Sequence, residues 1–279
     1  MDPPPRHPVT KKQRTIKNVV VNAHRQPTLR QQPDKNVVKY PHAPTARCVP
    51  AIFNAAFDHL TFYQRTRVQK MECDGLLLLR AERLGSRELL KFLFDRLDPC
   101  NMVINVGKGR GIHVTPFTVK QVLGIPDSGE DLPLRTNNEA CKALSDFKAL
   151  VGLQDSEDAH TSYLLKIMED DTKYNSRMIA DDLAIRIFFI FASNKLLFPS
   201  TDNNIRAKDV YLTRDLSRLP GMNWCKAVVD ELRDAARTWR FDRMKKVCPS
   251  ISGCAIFLIV STLFSHAYTH AVKKLSYFV

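Results

Sequence analysis

Paired cysteines are missing from this sequence. Cys48, Cys73, Cys100, Cys141, Cys225, Cys248 and Cys254 are odd in number and scattered at wide intervals, a usage that favours reduced thiols over a disulfide framework or a zinc site. The N-terminus has no apolar h-region, so no secretory leader is expected. A reducing intracellular compartment follows as the expectation. Long apolar runs are scarce as well. The stretch between Lys246 and Lys273 carries no Lys, Arg, Asp or Glu, but its strongly apolar part, Cys254 to Phe264, is too short to cross a bilayer comfortably. A buried helix is expected there, with no membrane partner.

Signatures of catalysis are absent in the same way. There is no GxSxG elbow, and no cysteine stands in a nucleophile motif beside a histidine. "GKGRG" at residues 107–111 has the glycines and cations of a phosphate loop, yet Lys108 is followed by Gly109 rather than Ser or Thr. The next helix signal waits until Thr115, so neither a P-loop nor a GxGxxG fingerprint fits. His266 and His270 have the spacing of two helical metal ligands, but Ala267, Tyr268 and Thr269 supply no glutamate between them. Asp170-Asp171 and Asp181-Asp182 are sequence neighbours, which point in different directions on a helix. They are expected to be first-turn acids at helix N-termini. No residue is assigned as catalytic, cofactor-binding or metal-ligating, and the expectation is a protein that is not an enzyme and takes no cofactor.

What the sequence does have is positive charge, unevenly placed. Of the net +13, residues 1–47 carry +8, from ten Lys or Arg against Asp2 and Asp34, which leaves +5 for the other 232 residues. This Pro- and Gln-rich stretch is too poor in apolar side chains to offset its ordering entropy. Residues 1–50 are therefore expected to be a disordered basic arm, with a short extended piece at Val19 to Val21. Such an arm suits polyanions, because Lys and Arg beside phosphates release counterions and give salt-dependent, sequence-tolerant affinity. Lys11, Lys12, Arg14, Lys17, Arg25 and Arg30 are its candidate nucleic-acid contacts. Lys108 and Arg110 join them from the turn between "MVINV" and "GIHV", two short β-type runs that predict a hairpin with positive-φ glycines at its tip. "KKQR" at 11–14 is also a basic patch of the nuclear-import kind.

From Ala51 to Phe264 the apolar residues recur at helical spacing. Ser86 caps a predicted helix striped by Leu89, Leu90, Leu93 and Leu97 and stopped at Asp98-Pro99. Thr115-Pro116 opens another, with Val114 stapled onto Val119 and Gly124 as its end. Ala140, Leu144, Phe147, Leu150 and Val151 line a third, closed by Gly152. A fourth runs through Tyr163 to Met168. "SRMIADDLAIRIFFIFASNKLLFP" is apolar on more than one side over Ile185 to Phe191 and predicts a central helix, in which Asp182 and Arg186 pair one turn apart. Asn223 caps the most amphipathic segment, with Trp224, Val228, Leu232, Ala235 and Trp239 on one face. The predicted fold is mainly α: an irregular multi-helix domain at 51–264 with one small β-hairpin.

Three segments in order carry a family resemblance. "IHVTPFTVKQVLGIPDSGEDLP", "MNWCKAVVDELRDA" and "GCAIFLIVSTLF" resemble the hairpin and Thr-Pro helix, the Asn-Trp-Ala helix and the Gly-Cys-Ala-Leu-Phe-Leu helix of the plant mobile domain, a family also labelled aminotransferase-like. "DGLLLLRAERLGSRELLKFLFDRLDP" and "FASNKLLFP" extend the likeness over roughly 200 residues from about Phe57. The resemblance implies a helical, transposon-associated plant module, located in the nucleus (otherwise the cytoplasm), with nuclear protein partners or DNA association and no agreed catalytic residues. No lysine stands in a pyridoxal phosphate motif. The family continues its last helix with Tyr-Leu-Asp, whereas residues 265–279 read "HAYTHAVKKLSYFV" after Ser265, so a truncated or mispredicted tail is expected there. Two other readings stay open: a metal-dependent nuclease or transposase remnant using scattered carboxylates, and a degenerate product without retained activity.

Overall fold

The computed structural model describes residues 44–107, 109–174, 179–200, 202–245 and 250–263. The candidate contacts Lys11, Lys12, Arg14, Lys17, Arg25, Arg30 and Lys108 lie outside them, as do Val19 to Val21, Cys248, the His266/His270 pair and the tail.

The chain enters the fold through β1 (Thr45–Ala46), α1 (Pro50–Asp58), α2 (Phe62–Lys70) and α3 (Asp74–Leu78). Helix α4 (Arg87–Arg96) feeds an antiparallel sheet of β2 (Leu97–Asp98), β3 (Val103–Gly107) and β4 (Arg110–His113). Six helices follow: α5 (Pro116–Leu123), α6 (Asn138–Leu150), α7 (Thr161–Tyr174), α8 (Asp181–Phe191), α9 (Ala207–Leu212) and α10 (Trp224–Met244). Strand β5 (Ser250–Ile251) and a helix α11 over 255–263 close the described chain. The fold is mainly α with a small three-stranded antiparallel sheet.

Local signals account for the helix ends. Ser86 Oγ accepts from the Glu88 and Leu89 amides, and Asn223 Oδ1 from the Lys226 amide. Thr115 and Thr118 exchange reciprocal hydrogen bonds at the start of α5, where Pro116 occupies the first position and loses no hydrogen bond. Gly124 ends that helix with φ at 54°, a left-handed conformation that costs glycine little. Gly152, one residue past Val151 at the end of α6, is also left-handed, with φ at 80°. Leu150, expected in the buried stripe of α6, is instead 58% exposed.

The core is a chain of aromatic contacts linking α1, α8 and α10. Phe53 packs on Phe188 at 5.1 Å between ring centroids, Phe188 on Phe189 at 5.5 Å, and Phe189 on Trp224 at 6.0 Å. All four side chains are buried, as is every residue from Ile187 to Phe198. Enclosure of α8 on all sides from Ile187 onward explains why that part of its sequence has no single apolar stripe.

The structure differs from the expected pairing inside α8. Asp182 forms its ion pair with Arg67 of α2, while Arg186 donates to the Val210 carbonyl at 3.3 Å and lies 4.9 Å above the Phe147 ring. Arg186 is drawn inward because α6 and α9 cover its side of α8, and burial lowers its pKa. The strand content also exceeds one hairpin. Leu97 pairs with Ile104 and Asp98 with Val103, adding β2 to the sheet, and β1 pairs in parallel with β5 through Thr45 to Ser250.

Candidate functional site

Two features of the fold concentrate polar side chains: a buried knot beneath α9 and a seam between α4 and α10. The knot begins where α8 runs into a π-helical turn, Ala192–Leu197. Such turns insert a residue into a helix and recur at functional positions. Here the insertion turns Ser193, Asn194 and Lys195 inward together, each 2% exposed or less.

Asp209 of α9 is fully buried and collects the donors. It accepts from Ser193 Oγ at 2.6 Å, Asn194 Nδ2 at 2.8 Å, and Arg206 through Nε at 2.7 Å and Nη2 at 2.8 Å. Arg206 Nη2 also donates to the Phe198 carbonyl at 2.6 Å. A planar guanidinium matched to both carboxylate oxygens is the arrangement in which a buried charge pair offsets its desolvation best. Lys195 turns its Nζ to the Asp202 carbonyl at 2.7 Å, and burial followed by the Arg206 charge lowers its pKa. The π turn spares backbone carbonyls too: Lys195 accepts from the Val49 amide and Leu196 from the Cys48 thiol. The knot thereby ties α8, α9 and the entry strand together. Every donor around Asp209 is committed, which makes it a structural clamp.

The seam holds α10 against α4 and the sheet. Trp239 Nε1 donates to Asp95 Oδ1 at 2.9 Å, with the Trp239 ring 5.6 Å from Phe94. Arg243 pairs with the same carboxylate at 2.5 Å, and Arg240 donates to the Leu97 carbonyl at 3.1 Å and faces Asp98 at 3.5 Å. Arg110, the one predicted contact among the described residues, is exposed at the start of β4. A shallow groove of about 320 Å³ lies at the other end of α10, floored by Leu132, Leu134 and Ala227. There Lys226 bridges Asp131 at 2.7 Å and Asp230 at 3.7 Å, and the Asp131 hydrogen bond chiefly raises its pKa.

Neither feature brings the paired acids to one point. Asp181 accepts from Gln64 at 2.9 Å, Asp182 pairs with Arg67, and Asp171 accepts from the Ile179 amide. Among the described residues no three His, Cys, Asp or Glu side chains are grouped to hold a metal ion, and no helix is long and apolar enough to cross a membrane.

A family model described as Domain of unknown function (DUF8566) matches residues 46–259. The chain belongs to this family. Its matched span runs from Ala46, the second residue of β1, into α11, so it takes in the knot and the seam. No curated protein and no solved structure matches the chain.

The thiols of this DUF8566 chain give a direct check on the core. Burial pushes Cys225 and Cys254 up to about 12 from the ordinary 9.0, and raises Cys48 and Cys73 as well. Cys100 and Cys141 are exposed. In native protein at pH 8, peptide mapping after alkylation is expected to find Cys100 and Cys141 modified, and the four buried thiols only after denaturation. The folded-state values lie above the unfolded one, so this stabilisation is complete below pH 9 and is lost as pH climbs from 9 toward 12. The loss is about 1.4 kcal/mol per pH unit for each buried thiol, visible as a falling denaturation midpoint.

Proposed function

We propose that this DUF8566 chain is a non-catalytic nuclear module of plant mobile domain type, derived from a transposable element and associating with nucleic acid or nuclear proteins. The observation that carries the reading is the charge distribution: +8 within residues 1–47 and +5 over the remaining 232. The order of the "VTPFTVKQVLGIP", "MNWCKAVVDELRDA" and "GCAIFLIVSTLF" segments supports the family half of the proposal.

The function follows from electrostatics without a fitted pocket. Arm cations that neutralise duplex phosphates release condensed counterions, and the affinity falls linearly with salt on logarithmic axes. Six arm cations, Lys11, Lys12, Arg14, Lys17, Arg25 and Arg30, are the test set. Changing all six to glutamine in the full chain is expected to weaken binding to a mixed-sequence duplex and to flatten the salt slope by about 5. Unchanged affinity and slope in that variant would sink the arm's role.

A further inference from the structure

Residues 48–263, which hold the folded domain, carry a net charge of only +3, yet that charge is polarised. From Asn138 to Asp182, across α6, α7 and the start of α8, ten carboxylates face five cations, a balance of −5. Across Arg87–Asp98 and Arg237–Lys245 the sign reverses: seven cations face four carboxylates, a balance of +3. These two short stretches meet along the α4–α10 seam.

Helix α10 meets α4 and β2 at Asp95, Leu97 and Asp98. Arg240 reaches Leu97 and Asp98, while Arg243, about one turn further on, reaches Asp95. Lys91 and Arg87 stand one and two turns before Asp95 on the same face of α4, the face whose Asp95 meets Trp239 and Arg243. Strand β3 is antiparallel to β2, with Asp98 opposite Val103 and Leu97 opposite Ile104. Strand β3 contacts α4, and Gly107 at its end pairs with Arg110. Arg87, Lys91 and Arg110 make no ion pair or side-chain hydrogen bond among the described residues.

Helix stability does not account for these positions. Cations at a helix C-terminus oppose the negative end of the dipole, which explains Arg96 and Arg243, but Arg87 is the first residue of α4, where a positive charge is unfavourable. The edge is also continuous with the arm. Ser250, the pairing partner of Thr45, is five residues beyond Lys245, so the root of the arm lies within about 18 Å of the edge plus one strand spacing.

We propose that the α4–α10 edge of the folded domain is a second contact for the phosphate backbone of duplex nucleic acid, joined to the arm at its root so that both engage one duplex. This rests on the reading of the arm given above. Once the arm is bound, the edge meets phosphate at a high effective concentration, so its weak contacts add to affinity without base recognition.

The test is a full chain carrying Arg87→Gln, Lys91→Gln and Arg110→Gln, titrated with a 25-base-pair mixed-sequence duplex over a salt series. The slope is expected to fall by about 2 to 3 and the affinity by roughly tenfold or more at low salt, with an unchanged circular dichroism melt. A charge-preserving triple, Arg87→Lys, Lys91→Arg and Arg110→Lys, is expected to bind as the parent does. Loss of binding in that variant would overturn the proposal, because charge would not be the cause. Normal binding by the glutamine triple together with loss in the six-residue arm variant would also overturn it, and would leave the arm reading standing. No duplex binding by the parent chain would remove both. Competition by polyglutamate as effective as by duplex would overturn it in favour of an acidic protein surface.

Discussion

Replacing Asp209 by alanine is expected to destabilise the domain by about 3–5 kcal/mol, the range for breaking a buried charge pair by removing one partner. At this chain length that corresponds to a fall in Tm on the order of 10 °C. The size follows from what the substitution leaves behind. Arg206 keeps its charge, is 23% exposed at its side chain, and loses two hydrogen bonds to carboxylate oxygens. Ser193 and Asn194 lose their acceptors inside a turn that water does not reach. Asn194 Nδ2 keeps only a 3.4 Å bond to the Asn204 carbonyl, and its own buried oxygen already has no partner. A double variant that also removes the charge, Asp209→Leu with Arg206→Met, is expected to lose less than the sum of its two singles. Chemical denaturation of the four proteins measures this directly. Equal additivity would mean that the carboxylate and the guanidinium act separately, contrary to the geometry.

The knot shows which parts of this fold can be read from sequence. Ser86, Thr115 and Asn223 declare their roles locally, because a cap acts on amides two or three residues away. Trp224, Val228, Leu232, Ala235 and Trp239 declare one face by spacing alone, and all five are buried. Asp209 gives no such signal. Its donors lie three to sixteen residues away and converge only because a π turn interrupts a helix that the apolar run Ile185 to Phe191 would otherwise continue. The same limit governs Asp182. Its nearest opposite charge in sequence is Arg186, but the fold brings up Arg67 from 115 residues earlier. Strand β1 is two residues long and finds β5 some 205 positions downstream, so no pattern in either could reveal the clasp. The basic edge is intermediate. Each cation is visible in the sequence, and Arg110 was legible as a hairpin residue, but the alignment of α4 with α10 depends on Asp95, whose partners are 144 and 148 residues away.

Gly129→Ala is the other substitution expected to act strongly, at about 2–5 kcal/mol, from two separate causes. The backbone there has φ at 105°, a conformation that an L side chain rarely adopts and that costs about 1–3 kcal/mol. A methyl group at this position would sit 2.0 Å from the Gly221 carbonyl oxygen and 2.5 Å from its carbon, and overpacking of this kind adds about 1–3 kcal/mol. The contact is backbone on backbone, so no rotamer change relieves it. Its consequence reaches the start of α10, because the Glu130 amide donates to the Gly221 carbonyl at 2.8 Å and the Asn223 amide to the Glu130 carbonyl at 2.7 Å. Displacing Gly221 would pull on the cap that starts the helix carrying Trp224 and the seam arginines. Gly85→Ala is the control, since a methyl group there meets nothing within 4 Å and φ is not positive. Thermal melts are expected to separate the two alanine variants by roughly 5 °C or more. Coincident melts would show that the loop from Gly129 to Asp131 can leave Gly221 without loss, and that α10 does not depend on it for its start.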